Sequence, residues 1–104
     1  MDDLINSSEK KKLCSNMAKN LPVLRAKVGL SQTSLSKKLG FSRQTINAIE
    51  SGKREMQWST FTALALFFMK EASVKELMIV TGTMNNDLEN WLKCDSGEMG
   101  VYTG

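Results

Sequence analysis

Residues 30–54 read LSQTSLSKKLGFSRQTINAIESGKR, and this stretch decides the fold. Leu35 and Leu39, then Ile46 and Ile49, put apolar side chains on one face of each of two short helices. Ser31 precedes the first helix and Ser42 the second. Serine at such a position satisfies a free amide of the first turn. Gly40 ends the first helix in the left-handed conformation that glycine tolerates, Phe41 fills the corner, and Gly52 ends the second helix. A short turn of this kind sets two helices at a steep angle, as in a helix-turn-helix. The second helix presents Arg43, Gln44 and Asn47, side chains that hydrogen-bond base edges and phosphates well.

Upstream, Leu13, Met17, Leu21, Leu24 and Val28 recur every three or four residues, one stripe of an amphipathic helix. Ser7 or Ser8 is expected to cap its start, with Glu9 favoured in the first turn by the helix dipole. Pro22 removes one interior hydrogen bond. Either a kinked continuous helix or a break with Asn20 capping a new helix satisfies this, and a break or sharp kink is expected. Gly29 ends the segment.

Downstream, residues 53–57 read as a loop. Ser59 is expected to cap a fourth helix reaching about Lys70, burying Phe61, Leu64, Ala65, Phe68 and Met69. Leu66 and Phe67 make that helix apolar nearly all round, so it is expected to be central or shared with a partner. Ser73 is the expected cap of a fifth helix that buries Val74, Leu77 and Met78 and ends at Gly82. Asn85 or Asn86 begins a short sixth helix bearing Leu88, Trp91 and Leu92. Trp58, Trp91 and the apolar residues of the fourth helix fit a core, a dimer seam or a ligand pocket, in that order of preference.

These patterns predict an all-α fold, a compact bundle of five or six helices. One domain is expected over residues 1–93, with the motif at 31–51. Helices within 59–93 would complete the core and offer a dimer contact. Residues 94–104 are expected to form a disordered tail.

The 104 residues suit one domain, and no apolar run approaches the roughly 18 residues of a membrane span. The start, Met-Asp-Asp, does not read as a signal peptide, so a cytoplasmic, nucleoid-associated protein is expected. Cys14 and Cys94 belong to no Cys-x-x-Cys pair, and the chain has no histidine, which argues against zinc and for free thiols. Residues 10–54 hold eleven Lys or Arg and a single acid, Glu50, whereas residues 55–104 hold three lysines and seven acids. A basic half beside an acidic half is an electrostatic footprint for a polyanion.

The run Leu24-Arg25 … Gly29-Leu30-Ser31-Gln32 … Leu35 … Leu39-Gly40-Phe41-Ser42-Arg43-Gln44-Thr45-Ile46 … Ile49-Glu50-Ser51-Gly52-Lys53-Arg54 resembles the phage-repressor and Cro-like helix-turn-helix DNA-binding domain of bacterial regulators. The resemblance spans about residues 16–70. Ser36 stands where alanine is usual, and Met56-Gln57-Trp58 replace a common proline. The resemblance implies that Arg43, Gln44, Asn47 and Ala48 read bases. It implies that Gln32, Ser42, Thr45, Lys53 and Arg54 hold phosphates, and that Gln32 also braces the second motif helix. Glu50, exposed on a phosphate-facing helix, would repel DNA. The family pattern pairs it instead with Arg25, a structural ion pair between the first and third helices.

The leading expectation is a sequence-specific DNA-binding transcriptional regulator, a repressor acting as a homodimer on operator DNA. The stretch after residue 70 reads as too short for a separate effector domain. Regulation is therefore expected from concentration, a partner protein or operator competition. The alternative is an antitoxin- or coactivator-like protein-interaction module, with the acidic C-terminal half as its surface. No nucleophile motif, phosphate loop or spaced carboxylate pair points to an enzyme, and no cofactor is implied.

Overall fold

The longest element, α1 (Ser7–Val28), passes through Pro22 without interruption. Of the two outcomes open at Pro22, the continuous helix is observed and the break is not. Met17, Leu21 and Leu24 are all fully buried, and they flank the proline on both sides. Burying such a side chain is worth about 1.5–3 kcal/mol. Together they outweigh the ~3 kcal/mol that an interior proline costs. Pro22 itself is exposed. The structure is a computed structural model that describes residues 5–93; the expected tail at 94–104 and Cys94 lie outside the described residues.

After α1 come α2 (Gln32–Leu39), α3 (Arg43–Glu50), α4 (Trp58–Phe68) and α5 (Ala72–Val80). A last helix, α6, covers residues 86–93. No strand occurs among the described residues. The all-α bundle is therefore the observed fold. α1 forms its spine and packs against α3, α4 and α5, while α2 lies on α3.

Several helix starts differ from the sequence expectation. Asn6, not Ser7 or Ser8, caps α1, accepting from the Glu9 amide at 2.8 Å. Three adjacent residues could cap there, and burial of Ile5 (2% exposed) selects the first. Ser59 and Ser73 cap nothing, because α4 begins at Trp58 and α5 at Ala72, and neither has a side-chain cap. Trp58 stacks on Phe61 one turn later, with ring centroids 4.9 Å apart, which draws the helix start forward. The turn at residues 69–71 is short, so α5 starts before Ser73. At α6, Asn85 is the cap, accepting from the Leu88 amide at 2.8 Å.

The core gathers Leu13, Met17 and Leu21 from α1, Ile46 and Ile49 from α3, and Phe61, Leu64 and Phe68 from α4. Trp58 and Trp91 pack against it, 5.9 Å apart, as part of the intramolecular core. Ser36, standing where alanine is usual, is buried, and its hydroxyl donates to the Thr33 carbonyl at 2.7 Å. Leu39, expected inward, is only half-buried. Met56, read as loop, is buried. Gly82 adopts φ +75°, which side chains rarely take, and a Cβ there would also press to 2.9 Å on Asn16 Nδ2, which donates to the Gly82 carbonyl. Among the described residues, no helix is long and apolar enough to cross a membrane.

Candidate nucleic-acid interface

The turn between α2 and α3 is built by local chemistry. Gly40 adopts φ +79°, and its amide donates to the Ser36 carbonyl at 2.8 Å. Nothing crowds its missing side chain, so the positive φ alone explains the glycine. The Ser42 hydroxyl then accepts from the Thr45 amide at 3.1 Å and starts α3. Ser31 does the same for α2, accepting from the Ser34 amide at 3.0 Å.

One face of α3 is anchored and the other is free. Ile46 and Ile49 are buried, whereas Arg43, Gln44 and Asn47 are exposed and Ala48 is half-buried. Positions 43 and 47, 44 and 47, and 44 and 48 are three or four residues apart, which links the four into one outward strip. Four reading candidates therefore stand together on an eight-residue helix.

A buried carboxylate fixes the angle of that helix. Glu50 Oε2 accepts from Arg25 Nε at 2.6 Å, and Oε1 accepts from Arg25 Nη2 at 2.9 Å. Side-chain exposure is 16% for Arg25 and 7% for Glu50, so the fork-to-fork pair is shielded from water. Glu50 Oε1 also accepts from Gln32 Nε2 at 2.9 Å. Arg25 Nη1 donates to the Leu30 carbonyl at 3.1 Å. The Arg25–Glu50 pair thus joins α1, the α1–α2 turn, α2 and α3. Every buried side-chain donor and acceptor among the described residues has a partner.

The segment after α3 folds back on it. The Lys53 and Arg54 amides both donate to the Ala48 carbonyl, at 2.9 and 3.2 Å. Arg54 Nη1 reaches Thr45 Oγ1 at 3.4 Å, which places its cation beside the first turn of α3. Lys53 is exposed. No group of three or more Cys, Asp or Glu able to hold a metal occurs among the described residues.

A helix-turn-helix family model matches residues 24–68. A helix-turn-helix-type transcriptional regulator of Methanocaldococcus jannaschii, itself uncharacterized, is 46% identical over 52 residues, which are 50% of this chain and 79% of that protein. The chain belongs to the helix-turn-helix family of DNA-binding transcriptional regulators. No solved structure matches it.

Within this helix-turn-helix chain, Arg54 meets Thr45, Ser42 meets Thr45 and Gln32 meets Asn47, so these candidate site residues are brought together around α3. Gln32 directs both amide hydrogens inward, to Glu50 and to Asn47 Oδ1 at 3.3 Å. Its side chain is a brace. What it leaves for a phosphate is its backbone amide at the start of α2, one of the amides that have no partner within the helix. The Gln32–Glu50 bond and the Arg25–Leu30 bond were not legible from residue spacing. The isolated acid in a basic segment pointed to Glu50, and the family resemblance pointed to Arg25 as its partner and to Gln32 as a brace of the second motif helix, without naming Glu50 as what Gln32 holds.

Proposed function

We propose that this regulator is a sequence-specific repressor that binds operator DNA as a homodimer, with α3 in the major groove. The observation that carries the reading is the strip Arg43, Gln44, Asn47 and Ala48, held outward by buried Ile46 and Ile49 and by the Glu50 network. Arginine forks onto guanine O6 and N7, glutamine pairs with adenine N6 and N7, and Ala48 suits a thymine methyl. Ser42, Thr45, Lys53, Arg54 and the Gln32 amide surround the strip and are assigned to phosphates.

The basic character of residues 10–54 supports the same reading, since phosphate neutralisation supplies most non-specific affinity. Residues up to 93 act in this reading as one unit, with α4 to α6 backing the motif. Leu66, Ile79 and Val80 are exposed at 42%, 52% and 82%, and they support a contact between two copies. A two-fold pair of reading helices engages half-sites about 34–36 Å apart. Size-exclusion chromatography with light scattering tests the pairing. Wild type is expected as a dimer and Val80→Asp as a monomer; a monomeric wild type would refute the pairing. Mobility-shift titration against random and selected duplexes tests the function. A selected duplex should bind far more tightly than random DNA, and equal binding would defeat sequence-specific reading.

A further inference from the structure

A cleft of about 820 Å³ lies between α1 and residues 49–58, apart from the outward strip of α3. Its floor is apolar: Cys14, Ala18, Ile49, Met56 and Trp58. Burial pushes the Cys14 thiol up, so the floor carries no thiolate charge at neutral pH. Its rim is cationic. Lys11 and Lys19, both exposed, stand two turns apart on α1, and Arg54 faces them from the other wall. The ammonium of Lys10 lies 5.3 Å from the Trp58 ring centroid. Of the two carboxylates in the lining, Glu50 is held by Arg25 and Gln32, which leaves Glu55 as the opposing charge.

We propose that this cleft docks an acidic peptide segment of a partner protein, one that carries an aromatic or aliphatic anchor. An apolar floor gives nothing to a phosphodiester backbone, but it receives a Phe or Leu side chain. The cleft's volume suits a few side chains and does not admit a duplex. Acidic residues on either side of the anchor meet the rim, and charge complementarity steers the encounter. Arg54 links this cleft to the DNA surface, because it lines the cleft while its guanidinium reaches Thr45 at the start of α3. A docked acidic segment therefore competes with DNA for Arg54. This last step rests on the DNA-binding reading; docking itself does not.

The test uses a fluorescein-labelled peptide that alternates Asp or Glu with Phe or Leu, and the same peptide with Asn and Gln in place of its acids. In anisotropy titrations, wild type binds the acidic peptide at least about tenfold more tightly than the amide form, a difference of about 1.4 kcal/mol. The double variant Lys11→Glu with Lys19→Glu loses that preference. If the glutamates disturb the helical circular-dichroism spectrum, the alanine pair at the same positions carries the comparison. Equal binding of the two peptides overturns the proposal, as does full acidic-peptide affinity in the double variant. If the double variant instead loses duplex affinity with a shallower salt dependence, and no peptide binds, the cleft belongs to DNA and the proposal fails. A competition arm adds the acidic peptide to protein bound on a selected duplex, and displacement is expected. Absence of any preferred duplex would sink the DNA reading and leave the peptide titration as informative as before.

Discussion

Glu50 sits at the centre of the side-chain network that ties α3 to α1 and α2. Its carboxylate takes two hydrogen bonds from Arg25 and one from Gln32. Removing one partner of a buried pair leaves an uncompensated charge. Arg25→Ala is accordingly expected to destabilise by about 3–5 kcal/mol in urea unfolding. Loss of less than about 1 kcal/mol would show that the pair is effectively solvated. On the reading strip the expected effects differ in kind. Arg43→Ala or Gln44→Ala should leave stability nearly unchanged and relax preference at one base position by about 1–3 kcal/mol. Lys53→Ala should weaken all sequences alike and lower the salt slope by about one unit. Titrating each variant against matched and mismatched duplexes at several salt concentrations separates these outcomes.

At the scale of the element, helix ends and helix interiors were unequally legible in the sequence. Ser31 and Ser42 were readable as caps because each is followed at once by the buried stripe it serves. The start of α1 offered Asn6, Ser7 and Ser8 together, and only the burial of Ile5 distinguishes them. Ser59 and Ser73 misled because aromatic stacking at Trp58 and the short α4–α5 turn, both tertiary facts, moved the starts. Pro22 left a break and a kinked continuous helix both open on local rules, and long-range burial on both sides of it selects the continuous helix. Pro22→Ala should restore an interior hydrogen bond and stabilise the protein by about 2 kcal/mol. That is less than the full cost of an interior proline, because the proline also restricts the unfolded chain. A fall in melting temperature for this variant would contradict the account. Ser42→Ala, losing the cap of α3, should cost about 1 kcal/mol.

At the scale of the molecule, the C-terminal helices close the bundle behind the motif. Glu89 on α6 accepts from Lys75 of α5 at 2.6 Å and lies 3.0 Å from Lys93. The hydrogen bond from Lys75, then that from Lys93, lowers its carboxyl below the usual carboxylate range. A lowered folded-state value means that this contact stabilises above the unfolded carboxylate range. The contribution disappears as pH falls through the folded value. Lys75→Ala should therefore melt at a lower temperature than wild type at neutral pH, and the gap should close in acid. A gap independent of pH would assign the effect to packing instead. The pairing across α5 and α6 could not be read from sequence, since it depends on how α6 folds back. The α3 strip could be read, because a turn glycine, two serine caps and an apolar pair sit within one short stretch.

In the proposed function, α3, braced by Glu50, reads a defined sequence. Selection of bound duplexes from random DNA, run in parallel with wild type and Arg43→Ala, tests it most directly. Wild type should select a two-fold symmetric site with half-sites about one helical turn apart. The variant should lose preference at one position per half-site. Recovery of no preferred sequence by wild type, or of an unchanged site by Arg43→Ala, would contradict that function.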